Sequence, residues 1–149
     1  MKRTVVIGVG NEFRGDDGAG RMTARRLTET DLRGVDIFES SGEALSLMQC
    51  WADADRVILI DASSTGLPPG TVQRFDASQH PLPSRLFHTS THAFSVAEAI
   101  EMARSLTALP PTVIVFGIEG ANFDHGTGLT PEAEGGVSKA LQHILTELS

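Results

Sequence analysis

Cysteine is almost absent from this chain: Cys50 is the one thiol among 149 residues. No intrachain disulfide and no thiolate metal cluster can be built from it, and the sequence reads as a protein of a reducing compartment, the cytoplasm. Cations are scarce as well. Lysine and arginine total 12 against 19 acids, a formal net charge of −7. That balance argues against nucleic acid and anionic membranes as partners, because both want clustered positive charge. Long apolar runs are missing too. None approaches the ~18 residues a membrane helix needs, and the stretch after Met1-Lys2-Arg3 is too short and too glycine-broken for a secretion signal. Repeats, low-complexity tracts and linkers are not seen. The length suits one domain over residues 1–149 with a core of its own.

What the chain does have is a series of short apolar runs without alternation. Val5-Val6-Ile7-Gly8-Val9 and Val57-Ile58-Leu59-Ile60 are expected to be strands buried on both faces. Residues 35–39 and 112–118 predict two further strands, and 71–75, after the turn at Pro68-Pro69-Gly70, predicts an edge strand. Between them, helical spacing predicts helices over about 17–30, with Met22 and Leu27 inward, and over 42–51. Further helices are expected over 92–106 and from Thr130-Pro131 onward. Threonine caps that last helix, and proline suits its first position. Its expected core face is Val137, Ala140, Leu141, Ile144, Leu145 and Leu148. Strands alternating with helices imply an α/β fold: a three-layer α/β/α sandwich with a small, mostly parallel sheet.

Ligands of open α/β sheets bind beyond the carboxyl ends of the strands. Three segments expected there carry polar residues. In Gly8-Val9-Gly10-Asn11-Glu12-Phe13-Arg14-Gly15-Asp16-Asp17-Gly18 the glycines suggest a dinucleotide-binding turn, but Phe13 stands where a third glycine belongs. Asp16 and Asp17 would also repel a pyrophosphate at the helix start. Either acid can cap the helix, for ~1 kcal/mol, and one is enough. Asp16 is the favoured cap, which frees Asp17 for another task. Asp61 ends a buried strand, a costly place for a carboxylate unless it is paired or meets a cation; capping the turn at Ser63 or Ser64 is the competing role. In His88-Thr89-Ser90-Thr91-His92, the serine and threonines suggest a cap that places His92 in a first helical turn. There the helix dipole favours the neutral, metal-ligating imidazole. Taken together, Asp17, Asp61 and His92 offer two oxygens and one nitrogen at one sheet edge. That set suits a divalent first-row metal with open coordination positions, as in a catalytic site.

These residues resemble the hydrogenase maturation proteases. The resemblance rests on Gly8-Val9-Gly10-Asn11 through Asp16-Asp17-Gly18, on Ile60-Asp61-Ala62 and on Ser90-Thr91-His92. Phe116-Gly117-Ile118-Glu119 and Gly126-Thr127-Gly128-Leu129-Thr130-Pro131 complete it, all in order along nearly the whole chain. It implies a phosphorylase/hydrolase-like sandwich around a small twisted sheet, with Asp17, Asp61 and His92 as catalytic and metal-binding residues. The implied substrate is a nickel-loaded [NiFe]-hydrogenase large-subunit precursor, trimmed of a C-terminal extension by a chain that can act as a monomer. The nickel would arrive with the substrate, another divalent metal such as zinc being the alternative. One departure is Glu39-Ser40-Ser41-Gly42, where the family often has an acid followed by glycines and threonine. His125 is a substrate contact at most, and His80 and His143 are set aside. A non-cleaving maturation chaperone and a nucleotide-binding module are the competing functions.

Overall fold

The computed structural model describes residues 3–83 and 96–149. Its five-stranded sheet has the order β2-β1-β3-β5-β4, built from β1 (Thr4–Val9), β2 (Val35–Ser40), β3 (Arg56–Ser63), β4 (Val72–Asp76) and β5 (Thr112–Glu119). The first four strands in that order run parallel, and β4 pairs antiparallel to β5 at the edge. The helices are α1 (Ala19–Leu27), α2 (Ala44–Cys50), α3 (Val96–Ser105) and α4 (Pro131–Leu148).

The unbroken apolar runs have the expected cause. Along β1, β3 and β5, alternate side chains go to opposite faces. Val5, Ile7, Val57, Leu59, Val113 and Val115 pack with Leu47 and Trp51 of the α2 segment and with Ile100 of α3. Val6, Ile58, Ile60, Ile114, Phe116 and Ile118 pack with Leu27 of α1 and Val137, Ala140 and Ile144 of α4. Both faces are covered, giving the three-layer α/β/α sandwich expected from the sequence. On α4 the face is also as read, with Leu141, Leu145 and Leu148 partly buried along its border. Thr130 caps that helix by accepting the Ala133 N–H at 3.3 Å.

Two boundaries differ from the sequence reading. The segment expected to be helical from residue 17 opens as a 3-10 turn, Gly15–Gly18, and α1 proper ends at Leu27. Met22 is half-buried and packs against the border of the core, and the fully buried positions are Ala19, Gly20, Thr23, Ala24 and Leu27. The cause is a very close approach of helix to sheet. A Cβ on Gly20 would overlap the carbonyl oxygens of Ile60 and Val9, and one on Gly8 would lie 2.6 Å from Ala24 Cβ. Strand β3 runs two residues past Asp61, because Ala62 and Ser63 still pair with Ile118 and Glu119.

The chain leaves β1 for β2 on one side, and after β3 it places β4 and β5 on the other. The strand order therefore reverses between β1 and β3, which places a crevice beyond their carboxyl ends.

Candidate active site

Asp17 and Asp61 meet at that crevice. Asp61 ends the apolar run of β3 and Asp17 lies in the 3-10 turn after β1; they are 7% and 6% exposed. The Asn11 N–H donates to Asp17 Oδ2 at 2.9 Å. On Asp61 the Ala62 N–H donates to Oδ1 at 2.8 Å. Burial, then the neighbouring charge of Asp17, pushes the Asp61 carboxyl well above the ordinary aspartate range, against the weaker pull of the Ala62 N–H. Two carboxylates withdrawn from water beside each other form a site that a cation would relieve. This oxygen set fits a divalent metal, although no three-ligand cluster forms among the described residues. The third expected ligand, His92, lies outside the described residues, as do His88, Ser90 and Thr91.

The competing role for Asp61, capping the turn after β3, belongs to another residue. Glu119, at the end of β5 and 4% exposed, accepts the Ser63 and Thr65 hydroxyls at 3.1 and 2.8 Å. It also accepts the N–H groups of Thr65 and Gly66. Asp61 is left facing the crevice edge with Asp17.

A sequence profile described as hydrogenase maturation protease matches residues 21–147. The chain belongs to the hydrogenase maturation protease family. The profile match begins after the loop that carries Asp17, whereas whole relatives align with nearly all of the chain. The hydrogenase 2 maturation protease of Escherichia coli K12 is 26% identical over 151 residues, covering 98% of this chain and 90% of its own length. Among solved structures, a [NiFe] hydrogenase maturation protease from Thermococcus kodakarensis superposes with a TM-score of 0.78 at 25% identity, covering 99% of both chains. The E. coli hydrogenase-maturating endopeptidase gives 0.79 at 21% identity, over 98% and 91% of the two chains, a likeness of fold.

As a hydrogenase maturation protease, the chain is a peptide hydrolase. Cys50 sits half-buried in α2, and burial pushes its pKa up, the wrong direction for a reactive cysteine. Against the nucleotide-binding reading stand Asp16 and Asp17, buried just ahead of α1, where their carboxylates would repel a pyrophosphate.

Asp16 departs from the sequence reading. It does not cap α1, whose N-cap is Gly18 without a side-chain bond. Fully buried, its carboxylate accepts the N–H groups of Ala121, Asn122 and Thr130 at 2.7, 3.1 and 2.8 Å and the Thr130 hydroxyl at 2.8 Å. A carboxylate saturated in this way is a structural clamp and has no free lone pair aimed at a substrate. Glu39 of β2, the retained acid of the departing segment, is bridged by Arg21 and Arg25 of α1 at 3.1 and 2.6 Å. The Arg25 hydrogen bond holds its carboxyl below the usual range. Arg21 also reaches the Gly10 carbonyl at 3.3 Å, tying β2 to the loop that carries the site.

Of the remaining histidines, His125 is exposed on the 121–130 loop, and His80 is exposed. His143 is exposed on α4, as expected, and stacks on Phe116 with ring centroids 6.3 Å apart. It borders a cavity of about 520 Å³ with Arg74, Lys139 and Glu147. That cavity lies against α4 and β4, and neither Asp17 nor Asp61 lines it.

Proposed function

We propose that this chain is the endopeptidase that removes the C-terminal extension from a nickel-loaded [NiFe]-hydrogenase large-subunit precursor, and that the nickel of that substrate is its recognition handle. Family membership supplies the reaction class. The observation that carries the metal's part is the burial of Asp17 and Asp61 side by side at the crevice between β1 and β3. Together the two acids offer hard oxygen donors to a divalent ion.

In this reading Asp17 and Asp61, with His92 from the segment outside the described residues, hold the substrate so that the scissile bond lies beside them. A divalent cation there supplies Lewis-acid polarisation of the carbonyl under attack. Asp17 is kept in place by the Asn11 N–H and Asp61 by that of Ala62, so both are pre-oriented. In this reading the chain acts as a monomer in the cytoplasm; no described helix is long and apolar enough to cross a membrane.

The test is to incubate the purified chain with nickel-loaded and nickel-free precursors and follow precursor mass, with a zinc-loaded sample alongside. Loss of one C-terminal peptide from the nickel sample alone is the expected result. Equal cutting of the nickel-free precursor overturns the handle. Binding of the loaded precursor without cutting gives the chaperone reading instead.

A further inference from the structure

Two loops at the carboxyl edge, residues 10–15 and 121–126, run side by side. Arg14 and Gly126 form a parallel bridge. The Gly126 N–H donates to the Phe13 carbonyl, the Gly15 N–H to Gly126 and the Asp16 N–H to Asn122, each at 2.9 Å. The Phe13 N–H is taken by Asn11 Oδ1 at 2.9 Å. Beneath the pair lies the Asp16 carboxylate with its four bonds. The backbone on both sides of Phe13 is therefore fixed, while the side chain stands 63% exposed, four positions after Val9 and four before Asp17.

An isolated exposed apolar residue needs no explanation. Here the placement is systematic. Among the described residues, four large apolar side chains are exposed: Phe13, Leu45, Leu67 and Leu106. The first three follow the carboxyl ends of β1, β2 and β3, which are neighbours in the sheet. Two of these, like Phe13, sit on backbone that a side chain pins. Glu43 accepts the N–H of Leu45 at 3.0 Å, and Glu119 accepts that of Gly66, next to Leu67. Leu106 follows α3, at the opposite edge.

We propose that Phe13 is a substrate-contact residue: it seats the precursor through an apolar part of that polypeptide beside the Asp17–Asp61 pair, on a rim that Asp16 holds ready. This rests on the precursor-cutting reading and deepens it. The precursor is the occupant because the rim is continuous with the site its chain must reach. An aromatic side chain on an immobilised backbone loses little freedom on binding, and such anchors carry a disproportionate share of interface affinity. Asp16 is a positioning residue that acts through the 121–130 loop.

The experiment compares wild type with Phe13→Ser, Phe13→Leu, Asp16→Asn and Leu106→Ser. It measures precursor binding by titration, kcat and KM for cutting, melting temperature, and hydrogen exchange over 121–126. Phe13→Ser is expected to weaken Kd and raise KM by about tenfold, with kcat and melting temperature held, and Phe13→Leu to restore most of the loss. Leu106→Ser leaves every value unchanged. Asp16→Asn raises KM together with faster exchange in 121–126. Unaltered Kd and KM in Phe13→Ser overturn the contact, and a collapse of kcat at constant KM in Asp16→Asn overturns the positioning role. If wild type binds precursor without cutting it, the endopeptidase reading falls while the Kd of Phe13→Ser still decides the contact. If wild type neither binds nor cuts, both are overturned.

Discussion

Asp16 receives both the backbone N–H and the hydroxyl of Thr130, each at 2.8 Å, although 114 positions separate them. The same hydroxyl accepts the Ala133 N–H and so caps α4. The loop after the first strand and the start of the last helix are thereby one hydrogen-bonded unit.

Thr130→Val removes that hydroxyl from both partners. It is expected to destabilise the chain by about 2 kcal/mol, a lost N-cap plus a lost bond to a buried carboxylate. Urea unfolding measures this. Thr130→Ser, which keeps the hydroxyl, stays near wild type; equal losses in both variants contradict the account.

Asp61→Asn is expected to abolish cutting and yet stabilise the protein at neutral pH. Folding raises the Asp61 carboxyl well above its ordinary value, so the ionised form is penalised in the native state. Wild-type stability then falls as pH rises from the ordinary aspartate value through the raised native one. Each tenfold change in native proton affinity corresponds to ~1.4 kcal/mol. Denaturant midpoints of wild type and variant separate at neutral pH and converge below the ordinary aspartate range. A variant less stable than wild type at neutral pH contradicts the desolvation argument.

Glu119→Gln keeps the shape of the clamp on the β3–β4 turn and loses its charge. Loss of charge-assisted bonds at a buried group costs about 2 kcal/mol. Hydrogen exchange at Thr65 and Gly66, whose N–H groups it holds, is expected to accelerate. Protection unchanged at both amides would show the turn to be held by something else.

Gly20→Ala forces a methyl group against the carbonyls of Ile60 and Val9. Neither strand can retreat, so α1 must lift, at a cost of about 3 kcal/mol. A melting temperature within a degree or two of wild type would refute the close approach. Gly135→Ala on α4, where the added Cβ meets nothing within 4 Å, is the control.

The sheet was legible because each of its central strands is an apolar run bounded by polar turns, and burial on both faces permits little else. The burial of Asp61 was legible for a related reason: a carboxylate ending such a run needs a partner. Glu119 ends β5 in the same way, and the same signal would have found it. Asp16 was not legible, because three of its four bonds come from backbone N–H groups and its partners lie 105 to 114 positions downstream. No side-chain pattern marks such donors. The start of α1 was misplaced because acids at 16 and 17 look like caps, whereas Gly18 answers to Glu12 of the preceding loop and Gly20 to the sheet beneath it.

The ladder between residues 10–15 and 121–126 also dictates an order of assembly. Its loop closure spans most of the chain, so its entropic cost is met only after β5 has docked beside β3. A nascent chain that has not yet reached Ala121 can form β1 and the glycine turn, but Asp16 then has none of its four donors, and one that stops before Thr130 lacks two of them. Competence to receive a precursor thus arrives at the end of folding, and a truncated polypeptide presents an unfinished cleft.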